Sequence, residues 1–535
     1  MKNTFLIIFL WITVGLAQAQ IKPADGLWRT TDDPDIGSGM MMITQGGITL
    51  ATVFSYTPDG EPRWYLAVGS IDENGRFAAE LKETTDGTSI LVSNPPSASY
   101  LPTARQLTID FYGSQTASFL IDDQPIKTMQ SMNFAYPTWD TEHQTLTDGT
   151  NYQVADPTGT WLVGGVDSDL AFVLDLVAAN DESGNAAFLE KTFVSTHPST
   201  DGWELRCPWQ FIPNTLPFSQ PFCTLDRRQE SEPLLNVSFA DLGVKQMQLV
   251  AADESQSFTG FRPSSASLQP NDGYWRPEDD PDVGGGLVLV SQGPYTVVLM
   301  YSYDEAGNAA WSIAAGAFDA NGLLQTELRS TVGGSPIGID GKTSATYTDQ
   351  IQQLEIQLLG TELATFSVDG SPVKHIQNVN FGIELFKTEQ LMINDKKYSF
   401  PDQTGRWVVV DNELNLLDVI DLSFFEPNSR ISPAVPWYLG ARGYESFDQN
   451  NEAGSFGLSM ICTVTREGFD LLPSYIQPNC TANFGLSQSD FSTNGKVYFQ
   501  DIGMNVFTMY LGQADGIDYS GIDRESDNLT FYRLR

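Results

Sequence analysis

An internal duplication is the feature of this chain that most constrains its fold. Residues 26–136 recur at residues 273–383 with a constant offset and no gap, so that the opening GLWR returns as GYWR. The repeat separates positions that are kept in both copies from positions that occur once. It predicts an architecture of repeated structural units.

A shorter motif divides each half of the chain again. Gly-x-Trp openings begin at Gly26, Gly159, Gly273 and Gly405, which predicts four modules in the order A-B-A-B. We expect a signal peptide followed by modules A1, B1, A2 and B2, with boundaries at residues 1–19, 20–155, 156–265, 266–400 and 401–535. The Ser- and Pro-rich stretch at residues 264–272 is typical of a linker between the two halves.

The hydrophobic periodicity of the modules is that of strands. Runs rich in β-branched and aromatic residues occupy residues 40–44, 49–56, 63–71, 77–82, 106–112 and 117–121. Turn-forming pairs such as Asn74-Gly75 separate these runs. Seven or eight short strands per module predict an all-β fold, in which antiparallel meanders close as small barrels or pack as sandwiches.

The first residues predict export. Lys2 precedes an apolar run from Phe5 to Leu16, and Ala17-Gln18-Ala19 is typical of a cleavage site, so we expect a signal peptide that is removed after Ala19. No later stretch approaches the roughly 20 apolar residues that a spanning helix needs. The sequence therefore predicts a secreted or periplasmic protein without a membrane span.

The net charge limits the partners that the chain can bind. It carries 67 acidic and 29 basic residues, for a net charge of −38, and such a surface repels polyanions. Nucleic acid is therefore excluded as an expected partner. The oligomeric state stays open.

Four cysteines occur as two local pairs, Cys207 with Cys223 and Cys462 with Cys480. In a chain that is sent to an oxidising compartment, two local pairs predict two disulfides. Each would close a loop of roughly 15–20 residues, for which the chain-entropy model gives about 3 kcal/mol of stabilisation.

The A modules share a pattern that extends well beyond the first Trp. A1 contains Trp28 to Gly39, Gln45-Gly46 and Trp64-Tyr65, and A2 repeats Gln292-Gly293 and Trp311. The pattern resembles a GxWW, SGxG, QG and WY module that is common in uncharacterised secreted bacterial proteins. The resemblance implies a secreted β module without supplying an activity. This chain departs from the pattern at Arg29, where a second Trp is usual, and in the loop at residues 33–35.

The Gly-x-Trp openings are also similar to those of calycins such as lipocalins and avidins. In calycins this Trp usually closes one end of the barrel. The resemblance implies a structural role in all four modules, for Trp28, Trp161, Trp275 and Trp407.

Duplicated acidic loops are the candidate metal site. The loops contain Asp32, Asp33 and Asp35 in A1 and Asp279, Asp280 and Asp282 in A2, and each precedes a Gly-x-Gly. Several carboxylates on one short loop suit Ca²⁺, which prefers six to eight oxygen ligands. Asp and Pro with a following Gly also form ordinary turns, which is the alternative interpretation.

Aromatic residues are the candidate ligand contacts. They are Tyr56, Trp64 and Tyr65 in A1, and Tyr303 and Trp311 in A2. Flat rings with a polar tip suit a glycan or a small amphipathic ligand, although strand alternation also sends such rings into a core. For the duplicated Lys127 and Lys374, a salt bridge within the acidic protein is the simplest interpretation.

Catalytic motifs are scarce. The three His residues, His143, His197 and His375, are not repeated between copies, and neither a Gly-x-Ser-x-Gly elbow nor a His-Glu-x-x-His motif is present. We therefore expect a non-catalytic binding protein. The alternatives are a structural or adhesive surface protein and a β-rich glycoside hydrolase, which needs only two carboxylates.

Calcium bound at the acidic loops would stabilise the folded state by mass action. We predict that Ca²⁺ raises the melting temperature of the purified chain and that EDTA lowers it. Identical melting curves in Ca²⁺ and in EDTA would remove the metal site.

Overall fold

Strands that pair in chain order dominate a computed structural model of the protein. The structure describes residues 22–30, 36–102, 105–136, 158–166, 171–179, 191–195, 203–209, 222–227, 235–242, 244–251, 255–263, 269–279, 284–340, 343–382, 392–393, 396–397, 403–410, 414, 416–425, 439–446, 457–464, 479–485, 493–502, 506–512 and 528–534. These residues form β-strands and no α-helix. Within them, no helix has the length and apolar character required to cross a membrane.

The first A module is a ring of antiparallel strands. Its strands are β1 (Gly26–Thr30), β2 (Gly39–Gln45), β3 (Ile48–Tyr56), β4 (Pro62–Ser70), β5 (Arg76–Thr85), β6 (Ser99–Tyr100), β7 (Arg105–Phe111), β8 (Thr116–Ile121) and β9 (Lys127–Ser131). β4 pairs with β5, and β9 pairs with β1, so the ring is complete, with β6 attached to β5.

The second A module repeats this ring as a closed barrel of eight strands. Its strands are β18 (Gly273–Pro277), β19 (Gly286–Gln292), β20 (Tyr295–Tyr303), β21 (Ala309–Ala317), β22 (Leu323–Val332), β23 (Thr346–Leu358), β24 (Leu363–Val368) and β25 (Lys374–Asn378). The single long β23 takes the position that β6 and β7 share in A1.

Each B module is also a closed barrel of eight strands. B1 contains β10 (Gly159–Gly165), β11 (Ala171–Ala179), β12 (Lys191–Ser195), β13 (Trp203–Trp209), β14 (Phe222–Arg227), β15 (Leu235–Leu242), β16 (Gln246–Ala251) and β17 (Ser257–Phe261). B2 contains β28 (Gly405–Val410), β29 (Leu416–Phe425), β30 (Leu439–Ser446), β31 (Gly457–Val464), β32 (Asn479–Gly485), β33 (Thr493–Ile502), β34 (Val506–Gly512) and β35 (Asn528–Arg533). A two-stranded hairpin of β26 (Met392–Ile393) and β27 (Lys396–Lys397) lies between A2 and B2.

The all-β prediction is confirmed, and the choice between barrel and sandwich is settled in favour of barrels. Along the strands, apolar side chains that point into the barrel alternate with polar side chains that point to solvent. In β5, Phe77, Ala79 and Leu81 are buried while Arg76 and Glu80 are exposed. The Asn74-Gly75 turn forms as expected, because Gly75 has a φ of 77° that suits glycine.

Two strands in each A module do not alternate. β2 and β3 are buried along almost their whole length, and so are β19 and β20. In β2, Met40 and Met42 point into the A1 core, whereas Met41 and Ile43 belong to a second apolar cluster that A1 shares with A2. The two A barrels therefore pack against each other.

B1 and B2 share a smaller apolar cluster. It contains Leu162 and Val173 from B1 and Val408, Val410 and Leu534 from B2. At Gly164, an added Cβ would lie 2.8 Å from a methyl group of Val408. Like modules thus pack with like modules, although A and B alternate along the chain.

The A barrels also exchange loop residues. Ile90, between β5 and β6 of A1, lies in the A2 core, and the equivalent Ile337 of A2 lies in the A1 core. The Ile90 amide donates to the Ser302 hydroxyl at 3.1 Å, and the Ile337 amide donates to the Ser55 hydroxyl at 2.8 Å. Each A core is thus completed by a side chain from the other barrel.

The exchanged isoleucines test this arrangement. We expect Ile337→Ala to lower the free energy of unfolding of the A1–A2 unit by about 2–4 kcal/mol, because it removes buried apolar volume without refilling it. Chemical denaturation measures the change. Val92→Ala is the control, since Val92 is 46% exposed, and an equal effect of both substitutions would contradict the exchange.

Candidate functional site

Four of the five aromatic candidates lie between the two A barrels. Tyr56 and Trp64 of A1 are buried against Tyr303 and Trp311 of A2 in one apolar cluster. Their rings meet edge to face, with centroids 5.8 Å apart for Trp64 and Tyr303 and 5.7 Å apart for Tyr56 and Trp311. We call this contact the A1–A2 interface, and a ligand would reach these rings only if the barrels separated.

Paired hydrogen bonds cross the A1–A2 interface. Nε1 of Trp64 donates to the carbonyl oxygen of Ser302 at 3.0 Å, and Nε1 of Trp311 donates to that of Ser55 at 3.1 Å. The two bonds join equivalent positions of the duplicated modules, so the interface has approximate twofold symmetry. A buried indole N–H needs such a partner.

The tyrosine hydroxyls repeat this symmetry. The hydroxyls of Tyr56 and Thr331 lie 2.7 Å apart, and Tyr303 donates to Thr84 at 3.1 Å. The ring of Tyr56 also approaches Gly334, where an added Cβ would lie 2.3 Å from a ring carbon. Only glycine permits that approach.

The two Gln-Gly motifs also act across this interface. Gln45 donates from Nε2 to the carbonyl of Val379 at 3.3 Å and accepts the Phe381 amide at 2.9 Å. Gln292 makes the two equivalent bonds to the backbone of residues 132 and 134. The repeated module pattern includes this motif, but the contact made by its glutamine was not predicted from the sequence. The available signal was its retention in both copies.

The duplicated lysines form ion pairs, as the sequence predicted. Lys374 contacts Asp279 at 3.1 Å and donates to the carbonyl of Val92 in the other barrel at 2.5 Å. Lys127 pairs with Asp340 across the same interface. Both lysines are buried and hold the exchanged loops in position.

The acidic loops lie mostly outside the described residues. Asp32, Asp33, Asp35, Asp280 and Asp282 fall in undescribed segments. Asp279 is described. Its carboxylate accepts the Asn94 amide at 3.0 Å and pairs with Lys374. Among the described residues, no cluster of three or more potential metal ligands occurs, and the Ca²⁺ site stays a prediction.

Each Gly-x-Trp side chain is fully buried, at 0% exposure. The indole N–H of Trp28, Trp275 and Trp407 donates to the carbonyl four residues earlier, at 3.0, 3.2 and 2.9 Å. In each B module an arginine at the end of the last strand covers the Trp ring. Arg262, which directly follows β17, lies 4.5 Å from the ring of Trp161. Arg533, the last residue of β35, lies 4.5 Å from the ring of Trp407. These contacts give the four Trp residues a packing role in their barrels.

The fifth aromatic candidate, Tyr65, has different surroundings. It is partly buried against the A1 core and lies opposite Glu83 on the neighbouring strand. Arg63 lies 3.8 Å from Glu83, and Arg105 pairs with Asp122 at 2.8 Å. We call Arg63, Tyr65, Glu83 and Arg105 the A1 rim cluster.

Burial perturbs the ionisable groups of the A1 rim cluster. Desolvation raises the pKa of Tyr65, and the Glu83 charge adds to the increase. Desolvation also raises the pKa of Glu83, while Arg63 and Arg105 oppose it. The A1 rim cluster therefore contains a partly buried acid beside two guanidinium groups, one of which is also paired with Asp122.

A second perturbed acid lies where A1, A2 and B1 meet. Asp25 accepts the Thr44 amide at 2.7 Å, and the equivalent Asp272 accepts the Ser291 amide at 2.8 Å and pairs with Lys245 of B1. Burial raises the pKa of Asp25 to about 6, and the nearby Asp272 charge contributes to the increase.

Comparison with known proteins supplies no function. No family model and no curated protein matches the chain. Among solved structures, a DNA polymerase sliding clamp from Pseudomonas aeruginosa, determined with a ligand, is similar at 9% identity over 68% of this chain and 94% of the clamp, with a TM-score of 0.10. A likeness of that size carries no argument about fold or function.

The raised pKa of Asp25 predicts a pH-dependent stability. In the folded state Asp25 favours its protonated form. Its contribution to the free energy of unfolding is therefore intact below pH 4 and is lost as the pH rises through 6. Asp25→Asn keeps the acceptor for Thr44 and should raise the free energy of unfolding by about 1–3 kcal/mol at pH 8, with little change at pH 4. Thermal denaturation at both pH values measures this difference.

Asp272→Asn is the matched control. It removes the ion pair with Lys245 and should destabilise the chain at pH 8. If Asp25→Asn destabilised the protein equally at pH 8, the buried-acid interpretation would be wrong.

Proposed function

We propose that the chain is an exported, non-catalytic carbohydrate-binding protein in which the paired A barrels form a rigid scaffold. Two exposed tyrosines at equivalent positions carry the proposal. Tyr100 is 46% exposed and Tyr347 is 43% exposed. An exposed ring that is kept in both copies contributes little to a core, and its retention points to a role at the surface.

The surroundings of these two rings are also duplicated. Lys82 lies 5.4 Å from the Tyr100 ring centroid, and Arg329 lies 5.4 Å from that of Tyr347. Tyr100 is opposite Thr84 on the neighbouring strand, and Thr84 bonds to Tyr303 of the other barrel. Each ring is therefore anchored beside the A1–A2 interface, on a surface that the paired barrels hold fixed.

A sugar suits an exposed tyrosine ring that lies beside a cationic side chain. The apolar face of a pyranose stacks on an exposed ring, and its hydroxyls bond to polar groups at the ring edge. A small amphipathic ligand would need space inside a barrel, as barrel interiors that hold such ligands provide. In A1 that space contains Trp28, Phe77, Phe119 and the exchanged Ile337, which favours the carbohydrate.

A structural or adhesive role is the second candidate. The symmetric burial between A1 and A2 supports it, because a large apolar contact fixes the relative position of two domains. A rigid pair with two equivalent surface sites would also increase avidity for a repetitive ligand.

We also propose that the four cysteines form disulfides within the B modules. Cys462 lies directly opposite Cys480 on the neighbouring strand. Arg206 is opposite Thr224, so the next pair in this register is Cys207 and Cys223. Antiparallel neighbours have Cα separations of about 4.5–5.5 Å, which a disulfide can span. Intact mass before and after alkylation without a reductant counts the free thiols, and four would exclude both bonds.

Glycan binding tests the proposed function. We expect the mature chain to bind saccharides on a glycan array and Tyr100→Ala with Tyr347→Ala to weaken binding by about tenfold or more, since an aromatic platform contributes roughly 1–2 kcal/mol. Tyr112→Ala is the control, because Tyr112 is exposed to a similar degree but Leu359 takes its position in A2. Fatty-acid dye displacement without glycan binding would favour an amphipathic ligand instead.

A further inference from the structure

The two exposed tyrosine rings are related by the symmetry of the A1–A2 interface. Tyr100 is opposite Thr84, and the Thr84 hydroxyl accepts a hydrogen bond from a tyrosine of A2 at 3.1 Å. At the equivalent place in A2, Tyr347 is opposite Thr331, whose hydroxyl lies 2.7 Å from a tyrosine hydroxyl of A1. We call these two places the Tyr100 site and the Tyr347 site. Each lies at the edge of the interface, beside a residue that contacts the other barrel.

Backbone hydrogen bonds to the opposite barrel hold both sites in place. Just beyond the strand that supports the Tyr100 site, the amide of Gly87 donates to the carbonyl of Gly307 in A2 at 3.2 Å. Just beyond the strand that supports the Tyr347 site, the amide of Gly333 donates to the carbonyl of Gly60 in A1 at 2.8 Å. The approximate twofold rotation that relates A1 to A2 therefore also relates the Tyr100 site to the Tyr347 site.

A twofold rotation limits how a linear polysaccharide can fill two equivalent sites. Such a chain has a direction, from its non-reducing end to its reducing end, and equivalent sites hold it in equivalent orientations. The rotation reverses the direction of a chain that runs across the axis. It moves a chain that runs along the axis to the opposite side of that axis. One straight chain therefore cannot fill both sites in the same binding mode.

The charge of the protein favours an uncharged ligand. The chain has a net charge of −38, which repels polyanions. Each site combines a ring that can stack on a sugar with a cationic side chain that can donate hydrogen bonds to sugar hydroxyls, 5.4 Å from the ring centroid. We infer that the A1–A2 pair binds two separate chains of an uncharged linear polysaccharide, one at each site, and thereby cross-links them. This inference rests on the proposed carbohydrate-binding function.

The number of bound oligosaccharides tests whether the two sites act separately. With cellohexaose as the probe and isothermal titration as the measurement, we expect two equivalent sites in the wild-type chain. In Tyr100→Ala or Tyr347→Ala, the altered site should bind about tenfold or more weakly, while the other site keeps its affinity because distant sites act independently. Tyr112→Ala is the matched control and should keep both sites. Melting temperatures check that the variants are folded.

Soluble glucomannan, an uncharged β-1,4-linked polymer, tests the cross-linking. We expect the wild-type chain to increase the light scattering of a glucomannan solution. Each single variant should bind the polymer without that increase, because one intact site cannot join two chains. Equal scattering from the wild type and the single variants would overturn the inference. So would wild-type binding to glucomannan that is tenfold tighter than to cellohexaose but adds no scattering, because one polymer chain would then span both sites.

The remaining outcomes separate this inference from the proposed function. A single cellohexaose per wild-type chain would overturn the two-site arrangement and leave the carbohydrate-binding function standing. Binding of neither probe would also overturn the inference, and the glycan array would then decide the function. Binding of other glycans on the array would leave the carbohydrate-binding function standing, and binding of none would reject it.

Discussion

The mutual burial of aromatic rings between A1 and A2 is the contact on which the rest of the structure depends. Trp64 and Trp311 each place an indole N–H on a carbonyl of the opposite barrel, so the apolar contact also satisfies its polar atoms. Because the contact is approximately symmetric, each retained residue acts twice. The interface fixes the exchanged loops and thereby completes both A cores.

This contact explains which residues the duplication kept. Gln45, Ser55 and Tyr56 have identical equivalents in A2, and each makes its bond to the other barrel. A residue at a symmetric interface must fit both its own barrel and the copy opposite. Retention in two copies therefore reflects mutual packing here.

Much of the fold could be predicted from local pattern, and much of the site could not. The alternation of apolar and polar residues, together with the Asn74-Gly75 turn, located the strands. In a barrel strand with one solvent-exposed face, every second side chain points into the core. The roles of Trp64 and Tyr56 depend on hydrogen-bond partners 238 and 275 residues away in sequence, which no local pattern reports. One signal was present in the unbroken apolar run Met40 to Ile43, since a strand buried on both faces does not alternate.

The alternation of A and B along the chain gives this packing a consequence for biogenesis. B1 separates the two halves of the A1–A2 contact in sequence, so the contact is non-local and slow to form. During synthesis from the amino terminus, A1 presents Tyr56 and Trp64 to water until Trp311 has been made. Nascent chains therefore expose these aromatic residues for a time, which favours chaperone capture or premature pairing between neighbouring chains.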